Sequence, residues 1–154
     1  MLALTVAAFG QAPLVPPPNV PYGISISPDA AKKVAAAAIA EARKNNWNMA
    51  VAVVDIAGVL VYYEKMDDTQ TGSATVAIEK ARSAALFKRP TKAFQDALAG
   101  GGVGLRVMAL SGAVPAEGGV PLVVGGMIGG AVGVSGGTSE QDGQCAKYAV
   151  EALA

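Results

Sequence analysis

A buried strand followed at once by a turn and a returning strand constrains this fold most strongly. Met49 to Val54 is a continuous apolar run, which is typical of a strand buried on both faces. Asp55 to Gly58 has the composition of a turn, with glycine where a positive φ is favoured. Val59 to Lys65 then returns as a second strand. The pattern predicts an antiparallel hairpin.

A second hairpin is predicted near the C-terminus. Pro121 to Val124 and Met127 to Val134 are apolar runs on either side of Gly125-Gly126, which suits a tight turn. Leu105 to Leu110 is a further apolar run and is expected to be a strand. These segments together predict about five strands.

Helical patterns occupy the rest of the chain. Ser27 is a suitable N-cap before Pro28, and Thr138 with Gln141 has the spacing of a capping box. The order of elements predicts an α+β fold, an antiparallel sheet of about five strands with helices packed on it. The expected helices are Ala30 to Lys44, Thr71 to Phe87, Thr91 to Leu98 and Ser139 to Leu153.

The composition favours burial between subunits over a membrane span. Hydrophobic residues make up 52% and charged residues 16% of the chain, whereas about a quarter of residues are usually charged. The longest apolar candidate, Val120 to Val134, is interrupted by five glycines and a proline. A spanning helix needs about 20 apolar residues. We therefore expect a homo-oligomer without a membrane span.

Several function classes are excluded by residue counts. Twelve basic and twelve acidic side chains give a net charge of zero, and 5% of residues are aromatic, so a nucleic-acid partner is not expected. The chain has no histidine, which excludes a Ser-His-Asp triad and any His-ligated metal or haem. Its single cysteine, Cys145, cannot form an internal disulfide or a thiolate metal site alone, and is expected to be a small buried residue in a helix.

The N-terminal residues 1–23 are expected to form an apolar arm and a proline-rich strap, and residues 24–154 a single domain. Met1 to Gly10 is uncharged, and Pro13 to Pro21 holds five prolines. Gly10-Gln11-Ala12 resembles the end of an export signal without its basic region. A periplasmic or extracellular location follows from that interpretation, and a cytoplasmic one if the segment is an assembly arm.

Several short motifs between Ile24 and Leu153 occur in an order that resembles the GlcG/HbpS-like family. The motifs are Val53 to Gly58, Glu64 to Asp68, Lys80-Ala81, Phe87 to Thr91, Gly118 to Pro121, Gly129 to Gly137 and Glu140 to Asp142.

The resemblance implies a profilin- or PAS-like fold, assembly into dimers to octamers, and binding of haem or another tetrapyrrole. The absence of histidine departs from relatives that ligate haem iron with that residue. Haem would then need another ligand. By atom type the candidates are Tyr62, Tyr63, Met66 and Met127.

The glycine-rich C-terminal half contains the candidate ligand-binding backbone. Gly118, Gly119, Gly136 and Gly137 would allow a ligand close to the main chain, and the helix start at Thr138 would favour an anion. The alternative is that these glycines serve tight turns and close strand packing.

Glu117, Lys80 and Arg82 are the candidate charged site residues. Glu117 is isolated in apolar surroundings, where desolvation would raise its pKa and suit it to proton transfer. The resemblance suggests that Lys80 holds a carboxylate or a haem propionate, and a structural ion pair is the alternative. No metal site is expected, since Asp67-Asp68 has the pattern of a solvated turn.

Three functions are consistent with these features. The first is an oligomeric protein that binds a small ligand, with Lys80, Arg82 and Lys88 as a cationic rim. The second is an isomerase or lyase that moves a proton on a small carbonyl or carboxylate compound, with Glu117 as its acid or base. The third is a structural protein in which the arm and strap build an assembly.

Overall fold

Residues 19–154, which the computed structural model describes, contain a sheet of four antiparallel strands. The strands are β1 (Ala50–Val54), β2 (Leu60–Lys65), β3 (Gly119–Val124) and β4 (Met127–Ser135), in the order β2-β1-β4-β3. The helices are α1 (Pro28–Lys44), α2 (Ser73–Phe87), α3 (Thr91–Ala99), a 3-10 helix (Gly102–Ala109) and α4 (Ser139–Glu151). Most of the predicted arm and strap, and the export-signal pattern, lie outside the described residues.

The sheet separates two helical layers because alternate side chains of each strand face opposite sides. Val51 and Val53 of β1 pack with α1 and α4 in one apolar cluster. Ala50, Ala52 and Val54 pack against α2 in the other cluster. The second layer is built from small side chains, so α2 lies very close to the sheet.

Gly133 on β4 shows why that layer needs small residues. A Cβ at this position would overlap the carbonyl oxygen of Ala77 and lie 2.5 Å from the backbone nitrogen of Ala81. Both atoms belong to the backbone of α2, which cannot move aside without shifting the helix. Gly133 therefore sets the distance between α2 and the sheet.

The predicted hairpins and helix caps agree with the structure. β1 pairs with β2, and β3 with β4, both antiparallel. Gly58 has the positive φ of +76° that its turn requires. Ser27 accepts a hydrogen bond from the backbone nitrogen of Ala30, and Thr138 forms the capping box with Gln141.

The predicted α+β fold is confirmed, and its antiparallel sheet has four strands, close to the predicted number of about five. The predicted strand Leu105 to Leu110 is wrong. The segment falls largely within the 3-10 helix. Val103 and Met108 of that helix are 80% and 76% exposed, and only Val107 is buried. A short apolar run does not by itself distinguish a strand from another element, and the packing here provides no neighbouring strand.

Within residues 19–154, no helix is both long enough and apolar enough to cross a membrane.

Cys145 lies in α4 and packs in the cluster with α1, so its expected burial is confirmed. Burial raises the pKa of its thiol to about 12, and the charges of Glu41 and Asp142 act in the same direction.

We expect Cys145 to resist a thiol-specific disulfide reagent in the folded protein at pH 8 and to react fully in denaturant. The reagent reacts with the thiolate. The raised pKa keeps the thiol protonated, and burial prevents the reagent from reaching it. Absorbance of the released thiolate over time measures the rate. Rapid reaction of the folded protein would contradict the placement of Cys145 in the core.

Candidate functional site

An open cleft of about 740 Å³ lies between the start of β3 and the exposed side of α4. The loop before β3 contributes Glu117, Gly118 and Gly119 to its wall. The cationic side chains of the wall are Lys92 on α3 and Lys147 on α4. Its size falls within the range of about 300–1,000 Å³ that is usual for small-molecule sites.

Two glycines allow the loop before β3 to lie against the core. A Cβ on Gly118 would come within 3.0 Å of the Nζ atom of Lys80, and Gly118 has a φ of +129°. A Cβ on Gly119 would overlap the carbonyl oxygen of Lys80. The backbone N–H of Gly119 donates to Oγ1 of Thr91, at 2.9 Å, which attaches β3 to α3. These contacts favour close packing as the reason for both glycines.

Lys80 and Asp142 form a buried ion pair behind this loop. Their residues are 2% and 3% exposed, and the Nζ–Oδ2 distance is 2.7 Å. The ammonium group also donates to the carbonyl oxygen of Val134 at 3.1 Å. The other carboxylate oxygen accepts the N–H of Gly137 at 3.0 Å.

Burial raises the pKa of Asp142, and the hydrogen bond and charge of Lys80 oppose that effect. Because both charges are removed from water, each depends on the other for compensation. Of the two roles considered for Lys80, the geometry shows the structural ion pair, and its ammonium group is not part of the cleft wall.

Gly136, Gly137 and Thr138 form the entry into α4. The N–H of Gly137 is used by Asp142, and the N–H of Thr138 donates to Oε1 of Gln141 at 3.0 Å. A Cβ on Gly136 would overlap the carbonyl oxygen of Asn48. These contacts favour the turn-and-packing alternative over an anion site at this helix start.

Glu117 lies in the cleft wall with its carboxyl group against Gly143 of α4. A Cβ on Gly143 would overlap that carboxyl group, so the glycine in the helix makes room for it. The backbone N–H of Glu117 donates to Oε1 of Gln95 at 2.8 Å. Burial raises the pKa of Glu117, in the expected direction; Lys92 opposes the shift and Glu140 adds to it.

The remaining candidates lie away from the cleft. Arg82 lines a smaller depression with Leu86. Lys88 donates to the carbonyl oxygen of Val20 at 3.0 Å and lies over the ring of Tyr22. The candidate iron ligands Tyr62, Tyr63, Met66 and Met127 do not line the cleft either.

The sequence and the fold are similar to those of known proteins. A family model described as "Haem degrading protein HbpS-like" matches residues 26–151. The chain belongs to the HbpS-like family. The resemblance in the sequence motifs is thereby confirmed.

Relatives of this HbpS-like chain include protein GlcG of Escherichia coli (strain K12). It is 43% identical over 112 residues, which are 73% of this chain and 82% of GlcG. The crystal structure of Klebsiella pneumoniae protein ORFY has a TM-score of 0.78 at 30% identity and covers 88% of this chain and 95% of its own. A PduOC:heme complex has a TM-score of 0.76 at 28% identity, covering 84% and 96%.

Sequence reasoning missed most of the residues that line the cleft in this HbpS-like protein, among them Lys92, Lys147 and Tyr148. The signal that could have identified two of them is the spacing along α4. Glu140, Lys147 and Glu151 are seven and then four residues apart, so they share one helix face with neighbouring Tyr148. Which face meets β3 depends on the tertiary packing, which the spacing does not give.

Lys80→Met is expected to destabilise the protein by about 3–5 kcal/mol, because it leaves the buried carboxylate of Asp142 without its partner. The double variant Lys80→Met/Asp142→Asn should lose less than the sum of the two single variants. Urea denaturation measures each loss of stability.

The matched control is Lys92→Met. Lys92 forms an ion pair with Asp96 in which the side chains are 51% and 54% exposed, so its removal should cost less than about 1 kcal/mol. Additive losses in the Lys80 and Asp142 variants would show that the pair is not coupled.

Proposed function

We propose that this protein binds a small ligand that carries carboxylates, haem or another tetrapyrrole, in the cleft between β3 and α4. The observation that carries the proposal is the cleft itself, which combines about 740 Å³ of volume with two lysines at its wall. The family description and the PduOC:heme complex, whose fold this chain shares, support a tetrapyrrole as the ligand class.

The wall of the cleft has the chemistry that such a ligand needs. Val120, Val150 and the backbone of Gly118-Gly119 supply apolar surface for a flat ring. Lys147 lies on the exposed face of α4 and is suited to pair with a propionate. Lys92 is a weaker candidate, since Asp96 already accepts from its ammonium group at 2.8 Å.

Haem iron would need a ligand other than histidine here, because the chain has none. Tyr148 is the tyrosine among the residues that line the cleft, and tyrosine ligates haem iron in some proteins. A bound haem would supply a redox-active iron, while Tyr148 and Lys147 would hold and orient it. The residues present therefore fit the group.

A titration with haemin tests this proposal. Wild type is expected to show saturable absorbance changes near one haemin per chain, and Lys147→Gln should weaken binding about five- to tenfold by loss of one ion pair with a propionate, roughly 1–1.4 kcal/mol. Tyr148→Phe should alter the spectrum of the bound form more than its affinity.

Lys32→Gln is the control, because Lys32 is an exposed lysine on α1 and does not line the cleft. Equal weakening by Lys32→Gln and Lys147→Gln would point to nonspecific attraction of an anion. Absence of saturable binding would exclude haem as the ligand and favour the alternative function.

That alternative is an enzyme that transfers a proton on a small carbonyl or carboxylate compound. One observation favours it: Glu117 is a carboxyl group with a raised pKa in the wall of the cleft. Such a group can act as a general acid or base closer to neutral pH than an ordinary glutamate.

We also propose that the protein is a homo-oligomer, from a dimer to an octamer. Exposed apolar side chains of the 3-10 helix, including Val103, Leu105 and Met108, support this proposal, since apolar surface in contact with water favours association. Sedimentation equilibrium should give a mass of two to eight subunits. A single-subunit mass across the concentration range would contradict it.

A further inference from the structure

Two contacts determine the position of Glu117 in the cleft. The N–H of Glu117 is fixed by Gln95, and its carboxyl group lies against Gly143, where any larger residue would displace it. Among the contacts of residues 19–154, no hydrogen bond satisfies its carboxylate oxygens. The carboxyl group thus lies in the cleft wall without a protein hydrogen-bond partner among these residues.

Burial favours the neutral form of Glu117, and the charged groups around it act in both directions. Glu140 of α4 and Asp96 of α3 repel a negative charge there, while Lys92 of α3 and Lys80 of α2 attract one. Lys92 is already paired with Asp96, and burial is the largest single cause of the raised pKa of Glu117. Glu151 and Lys147 line the same cleft.

A ligand carboxylate that entered this cleft would approach a second carboxylate if Glu117 were ionised. Two adjacent carboxylates do not readily share a site unless one of them is protonated. A protonated carboxyl group instead donates a short, strong hydrogen bond to an anionic oxygen.

We propose that Glu117 takes up a proton from solvent when a ligand carboxylate binds and then donates a hydrogen bond to that carboxylate. This inference rests on the proposed function, because it assigns a role to Glu117 in the same cleft. It makes Glu117 a specificity-determining residue for ligands with a free carboxylate.

The direction of the pH effect follows from linkage. Binding of the anion raises the pKa of Glu117 further, so the complex holds one more proton than the free protein between the two pKa values. Affinity is therefore highest at acidic pH and falls as the pH rises through that window, by at most about tenfold per pH unit for one proton. This pH window begins at the pKa of Glu117 in the free protein, which lies above that of an ordinary glutamate.

Haemin titrations of wild type and Glu117→Gln between about pH 5.5 and pH 8 test this inference. Glutamine keeps the shape of the side chain and donates a hydrogen bond at every pH. We expect Glu117→Gln to bind with a smaller pH dependence than wild type and more tightly at the alkaline end.

Calorimetry in two buffers of different protonation enthalpy then gives the protons taken up, and wild type should exceed Glu117→Gln by up to one. Glu79→Gln is the control, since Glu79 is exposed and does not line the cleft.

The two proposals fail in different ways. Haemin binding with the same pH dependence and proton uptake in wild type and Glu117→Gln would overturn the role of Glu117 and leave the proposed function standing. Absence of haemin binding at every pH, in wild type and in both variants, would overturn both.

Discussion

Lys80 carries its ammonium group from α2, on one side of the sheet, to Asp142 of α4, whose apolar residues pack on the other side. The two charges lie 2.7 Å apart, and Val134 of β4 accepts a second hydrogen bond from the same ammonium group. The pair thereby joins α2 to β4 and α4, whose residues lie 54 and 62 positions further along the chain. Since neither charge can return to water without opening the fold, the relative positions of these elements are fixed.

The position of the cleft follows from that arrangement. Gly118 lies close to Lys80 and Asp142, and its carbonyl oxygen accepts the N–H of Val134 at 2.9 Å. The loop before β3 is therefore held against the ion pair, with Glu117 directed onto α4. Small residues permit each contact: Gly118 at the ion pair, Gly133 at α2 and Gly143 at Glu117. These three glycines are the geometric condition for the cleft as well as for the packing of α2 on the sheet.

Local sequence patterns predicted most of the secondary structure, because turns, caps and apolar periodicity act over a few residues. The Thr138–Gln141 capping box and the Gly58 turn are examples. The Lys80–Asp142 pair joins residues 62 positions apart, so local spacing cannot identify the partner. The same limit applies to Lys147 and Tyr148. Their spacing predicts the helix face on which they lie, but it does not predict that this face meets β3. The segment Leu105 to Leu110 failed for a related reason, since a strand requires a pairing edge.

The three carboxyl groups of the cleft differ in burial, which explains why Glu117 would respond more strongly to a bound anion than Glu140 or Glu151. Glu140 and Glu151 lie on the exposed face of α4, where solvent screens them. Glu117 is partly buried, and burial is the largest cause of its raised pKa. A carboxyl group whose pKa is raised by burial gains a proton at lower cost than an ordinary one when an anion binds beside it. Gly143 contributes to that burial, because it lets the carboxyl group lie against α4.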